Sequence, residues 1–174
     1  MKTENIIGVM LAAAGILLIP LIAMQYTSEV NWDLFDFVAM WILLTGAGLS
    51  YSFVSTHSGS SAYRLAAGIG VGTTLLLIWM NGAVGIIGSE DNPANLLYGA
   101  VLVVGAAGAL IARCRPAGMT KTLFATAITQ MLVPAVALMI WKPELTFEVL
   151  AIFVLNGFFA TLFVVSGLLF KKAM

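Results

Sequence analysis

This chain holds one cysteine and one histidine. Cys114 alone cannot close an intrachain disulfide, and His57 alone cannot build a two-histidine haem or metal site. Charge is scarce too. Asp, Glu, Lys and Arg make up 9% of the residues, against about a quarter in soluble domains. Net charge is zero, so the bulk composition does not point to nucleic acid. There is no phosphate loop, no cluster of metal-ligand residues and no nucleophile placed beside a base. An enzyme is therefore not expected, and neither is a cofactor. No hydrophilic stretch is long enough to suggest a second domain, so residues 1–174 read as a single integral membrane domain.

What the chain has in quantity is apolar length. Hydrophobic residues make up 61% and the mean hydropathy is +1.04. So little polar surface could not cover a water-soluble globule. In lipid, runs of about 20 apolar residues become spanning helices, because each backbone polar group must be satisfied within the segment. Six such runs are predicted: 5–24, 34–54, 63–87, 94–112, 120–141 and 145–170. The third is among the longest, which predicts tilt or a break. Short connections predict antiparallel neighbours. The expected fold is an all-α membrane protein, a bundle of six transmembrane helices built as three hairpins.

The few charges are strongly ordered. Lys2, Arg64, Arg113, Arg115, Lys121, Lys171 and Lys172 all fall on one side of this pattern. Glu29, Asp33, Asp36, Glu90, Asp91, Glu144 and Glu148 fall on the other, where Lys142 is the lone base. The positive-inside rule puts the basic side, and with it both termini, in the cytoplasm. Trp32, Trp141, Tyr26 and Tyr98 sit near the outer ends, as interfacial aromatics tend to. A basic start and an apolar core would also suit segment 1 as a secretory signal, but no small-x-small cleavage motif follows it.

An internal repeat also argues for an integral first segment. LFDFVAMWILLTGAG from Leu34 aligns with TFEVLAIFVLNGFFA from Thr146. Phe35 matches Phe147, Asp36 matches Glu148, Ala39 matches Ala151 and Leu43 matches Leu155. Pro20 upstream is echoed by Pro134. Segments 1–2 and 5–6 thus read as two copies of one hairpin, and repeats of this kind underlie many transporter folds.

Most of the outer acids have a local explanation. A helix N-terminus carries free N–H groups and a partial positive charge, so acids there are stabilising. Asp33 and Asp36 are spaced as a capping box. Asn92-Pro93 places an N-cap before a proline suited to the first helical position. Lys142, Pro143 and Glu144 read as another helix start. The alternative is that the acidic ends converge on a mouth that attracts cations.

The densest polar stretch is WMNGAVGIIGSEDNPANLLY, Trp79 to Tyr98. Gly82, Gly85 and Gly88 weaken a helix and predict that segment 3 unwinds there. Irregular backbone at membrane depth must be buried in protein or line a wet cavity. Asn81, Glu90, Asp91, Asn92 and Asn95, with Ser89, then offer oxygens of the kind hard cations take, without the spacing of a calcium loop. Those five residues are the candidate ligand- or ion-binding set, with a tight capped turn as the plainer reading.

The same stretch resembles the signature of an uncharacterised family of small proteobacterial integral membrane proteins. The shared positions are Trp79, Asn81, Ala83 to Asn95 and Tyr98, while Gly82 stands where the family carries a larger apolar residue. The likeness extends more weakly from Asp36 to Arg113 and into Asn156 to Ala160. It implies a bacterial inner-membrane location and the six-helix architecture, and it implies no mechanism.

Asn81, Gln130 and Asn156 lie deep, the last two roughly 12–14 Å in from opposite faces. Each amide needs a partner there, and interhelical hydrogen bonds are the expected source. No ionisable residue falls near the membrane centre, which argues against a carboxylate relay for protons. Gly68 with Gly72, Gly46 with Gly48, and Gly105 with Gly108 suit close helix packing or a homo-oligomer interface. His57 reads as a solvated loop histidine. Cys114, between Arg113 and Arg115, reads as a surface thiol, with an arginine-lowered pKa as the reactive alternative. The expected function is channel- or carrier-like passage or binding of a small solute or ion. The alternative is a non-catalytic accessory or assembly subunit of a larger membrane complex. The expected partners are the lipid bilayer and a homo-oligomer or larger complex, not nucleic acid.

Overall fold

The computed structural model describes residues 3–142 and 146–174. Lys2, Pro143, Glu144 and Leu145, used above, lie outside the described residues. Among the described residues there are six α-helices and no strand: α1 (Thr3–Tyr26), α2 (Leu34–Ser55), α3 (Ser61–Ala83), α4 (Tyr98–Ala112), α5 (Pro116–Trp141) and α6 (Phe147–Lys172). A short 3₁₀ turn, Pro93–Leu97, leads into α4. All six helices, the fourth counted with that turn, are long and apolar enough to cross a membrane. The chain forms two compact units, Met1–Thr56 and His57–Met174.

The first unit is the α1–α2 hairpin. Asp33 caps α2 as its spacing predicts: its side chain accepts from the Asp36 N–H at 3.0 Å, and Asp36 accepts from the Asp33 N–H at 2.9 Å. The two helices are tied by the Trp41 indole N–H, which donates to the Met10 carbonyl at 3.3 Å. A side chain at Gly48 would collide with Val9, so the helices approach closely there. Gly46 has no such neighbour. Pro20 lies inside α1.

In the second unit α5 and α6 form the closely packed central pair, with α3 against α6 and α4 against α5. This departs from three sequential hairpins, because α3 and α4 do not pack as a pair. The 84–92 loop is long enough to carry the chain past the central helices. Polar cross-links reinforce the order. The Ser166 hydroxyl donates to the Ala66 carbonyl at 2.7 Å, joining α6 to α3, and Thr120 donates to the Gly167 carbonyl at 3.2 Å, joining α5 to α6. Each is satisfied across a helix contact, the use lipid surroundings favour for hydroxyls. Gly108 faces Thr122 so closely that any β-carbon would clash, which seats α4 on α5. In α3 it is Gly70, against Ser166 and Leu123, that makes the close approach; Gly72 meets no neighbour.

One end of this unit gathers the bases. Tyr63, in the first turn of α3, donates to the Cys114 carbonyl at 2.6 Å and packs edge-on against Phe170 at 4.8 Å. These contacts bring the start of α3, the end of α4 and the end of α6 together. Arg64, Arg113, Arg115, Lys171 and Lys172 therefore share that end. The end of α5 at Trp141 and the start of α6 at Phe147, with Glu148, belong to the other.

Candidate functional site

Helix α3 stops at Ala83, so the third predicted segment does break at its glycines. Gly85 and Gly88 have φ of 70° and 72°, in the left-handed region that other residues rarely adopt. The backbone thus turns back on itself before the 3₁₀ turn begins.

Asn95 holds this loop from inside. It is buried, and its Oδ1 accepts from the N–H groups of Ile86 at 3.1 Å and Ile87 at 2.9 Å. Its Nδ2 donates to the carbonyls of Ser89 at 2.7 Å and Ile87 at 3.3 Å. The side chain replaces the helical partners that the unwound backbone lost. Asn92 caps the 3₁₀ turn, accepting from the Ala94 N–H at 3.0 Å with Pro93 at the first position. The Asn81 amide donates to the Asn95 carbonyl at 3.3 Å, leaving the Asn81 Oδ1 buried and without a hydrogen-bond partner. Glu90 and Asp91 are exposed on the loop. Of the five candidate residues, the structure brings Asn81, Asn92 and Asn95 into one hydrogen-bonded turn, while the two acids stand outside it.

Deeper in the bundle a second polar cluster links three helices. Asn156 of α6 and Gln130 of α5 meet at 2.9 Å, Gln130 Nε2 donating to Asn156 Oδ1. The Tyr98 hydroxyl of α4 lies 2.9 Å from Asn156 Nδ2, which also donates to the Ile152 carbonyl at 2.8 Å. All three side chains are fully buried. The deep amides therefore find interhelical partners. Tyr98, expected in the interfacial belt, is instead a core residue. Gln130 Oε1 carries no hydrogen bond. Pro134, one turn on, has no N–H to offer the Gln130 main-chain carbonyl four residues back.

Next to this cluster lies a cavity of about 570 Å³ between the loop, the last turns of α5 and the first turns of α6. Ala94, Pro134 and Ile152 line it, and each stands four residues, one helical turn, from Tyr98, Gln130 or Asn156. The amide cluster is therefore the layer beneath the cavity floor. Asn92 is the one member of the candidate set on its wall, and Trp141, Thr146 and Glu148 also border it. Nothing in the sequence marked this space. Its walls are aliphatic side chains on three separate elements, and only the unwound loop hinted that backbone was lining something.

The α5–α6 connection corrects one helix start. Lys142 is not an N-terminal residue; it ends α5 in a left-handed conformation, φ 44°. Thr146 caps α6, its hydroxyl accepting from the Val149 N–H at 3.4 Å. Cys114 is corrected as well. It is buried, and burial pushes its thiol above the ordinary range. Arg113 and Arg115 are both exposed and do not outweigh that. The thiol is therefore protonated at neutral pH and a poor nucleophile. His57 is exposed in the α2–α3 turn. Among the described residues no group of three His, Cys, Asp or Glu could hold a metal ion. The chain matches no protein-family model, no curated protein and no solved structure.

Proposed function

We propose that this is a bacterial inner-membrane protein, both termini cytoplasmic, that binds a small solute in the α5–α6 cavity from the outside and passes it inward, as a channel or carrier does. The observation that carries the reading is the cavity itself. Its volume of about 570 Å³ falls in the range of small-molecule sites, roughly 300–1,000 Å³. It is bordered by the irregular 86–92 backbone, and the buried amides lie one helical turn beneath its floor. The orientation rests on the separation of Arg64, Arg113, Arg115, Lys121, Lys171 and Lys172 from Glu90, Asp91 and Glu148. The likeness of Trp79 to Tyr98 to small inner-membrane proteins supports the location. In this reading Asn81, Asn92 and Asn95 shape the cavity roof, and Glu90 and Asp91 face the outer solvent as an attracting rim. No bond-making step is assigned to any side chain.

A second reading, an accessory subunit of a larger membrane complex, draws on one observation. Gly8, Gly15 and Gly46 of the α1–α2 hairpin have nothing within 4 Å of where a side chain would begin, a surface another helix could approach closely.

Purified protein in liposomes, offered a panel of small neutral and charged solutes, separates the two. The proposal expects saturable uptake that Val149→Trp, filling the cavity, abolishes. Uptake that survives Val149→Trp contradicts it. Absence of any uptake, with a second membrane protein retained through mild purification, would favour the accessory reading.

A further inference from the structure

The lining of the cavity selects for a particular chemistry. Ile86, Leu138, Ile152 and Phe153 make its walls apolar, and among the described lining residues Glu148 is the one ionisable group. Glu148 lies in the first turn of α6 and is exposed, so its carboxylate stands at the outer rim. Trp141, the last residue of α5, borders the same space and is 46% exposed. The α6 N-terminus alone would favour an anion, with an effective charge of roughly +0.5. A full negative charge on Glu148 in the same turn outweighs it. Lys142 follows Trp141 at the end of α5 and adds one positive charge. Glu148, with Glu90 and Asp91 on the loop whose Gly88 and Asn92 line the cavity, outnumbers it. The balance of formal charge at this end is negative, and the indole bordering the cavity is the aromatic surface best suited to hold a cation. A hard metal ion wants six or more oxygens, which these walls do not supply.

We propose that the cavity binds a monovalent organic cation with an apolar body, its charge at Glu148 and Trp141 and its hydrocarbon against the aliphatic walls. The assignment rests on the reading of this cavity as the solute site and adds the class of solute. The same chemistry, an ammonium group on an apolar body, also occurs in the headgroup end of an ethanolamine phospholipid. The test separates the two sources.

The probe is tetraphenylphosphonium, measured by equilibrium dialysis against the full chain in detergent without ethanolamine lipid. Saturable binding at one site is expected, with neutral triphenylphosphine oxide a far weaker competitor. Glu148→Gln and Trp141→Ala should each weaken binding by about tenfold, a change of about 1.4 kcal/mol, while Glu29→Gln leaves it unchanged. Thermal melts check that each variant is folded, and Trp141→Phe, a milder change expected to retain most of the affinity, serves if Trp141→Ala is not. Equal binding by Glu148→Gln and the parent protein would overturn the assignment. So would equal competition by the neutral analogue, or an ethanolamine phospholipid that stays bound and that the probe cannot displace. If neutral solutes bind, Val149→Trp removes them and tetraphenylphosphonium does not bind, the cavity reading stands and the cation assignment falls. If Val149→Trp leaves all binding intact, both fall.

Discussion

Four hydrogen bonds converge on the side chain of Asn95, two accepted and two donated, and all go to backbone groups of the 86–89 stretch. Each such bond contributes about 1 kcal/mol net, and a buried group left without its partner costs about 1–3 kcal/mol. Asn95→Ala is therefore expected to lower stability by about 3 kcal/mol or more. Asn92→Ala, which removes a single cap bond, should cost about 1 kcal/mol. Denaturant titration of the two variants in micelles checks the ranking, and equal losses would contradict it. The contrast between these residues also shows what a sequence displays. Asn92 and the Asp33–Asp36 pair act on neighbours two or three residues away, so spacing alone revealed them. Asn95 reaches back eight and nine residues to a loop whose path is not written locally, and its chemistry as a plug was read only as a set of available oxygens. Tyr98 was misplaced for a related reason. An aromatic near a helix end has the same neighbours in sequence whether it faces the headgroups or an amide in the core.

At the scale of the helix, apolar periodicity is a weak guide here. In water a helix shows its core face because the other face is polar. In lipid both faces are apolar, and the packed side is marked by small residues and cross-helix hydroxyls. Segment positions were therefore legible to within a few residues, since length and hydropathy suffice for them. The partners of α3 and α4 were not. Gly105 and Gly108 did mark a real seam, that of α4 on α5, but nothing in the sequence said that α3 would choose α6. The seam makes a direct prediction. Gly108→Ile must drive α4 off Thr122, and it should destabilise the protein by about 1–3 kcal/mol, the usual cost of overpacking. Gly99→Ile, at a position with nothing within 4 Å, should be close to neutral. Thermal unfolding in nanodiscs reads the difference, and indistinguishable midpoints would contradict the α4–α5 contact.

Across the whole molecule the strongest signal is the distribution of a few charges. An ionised side chain at the bilayer centre costs at least about 2.5–3.5 kcal/mol, so charges collect in the connections between helices and record which connections share a side. In the second unit the structure gathers Arg64, Arg113, Arg115, Lys171 and Lys172 at one end. The proposed orientation rests on the sign of that end, and so does the side on which the cavity is proposed to open. A cavity opening inward would make the same residues an exit rather than a point of capture. The direct measurement is labelling of single cysteines in a Cys114→Ala background, with a membrane-impermeant maleimide on intact cells. Asp91→Cys in the 84–92 loop should label, and Ser58→Cys in the α2–α3 turn should label only after the membrane is permeabilised. The reverse pattern, or labelling of both positions in intact cells, would contradict six crossings with the basic turns inside.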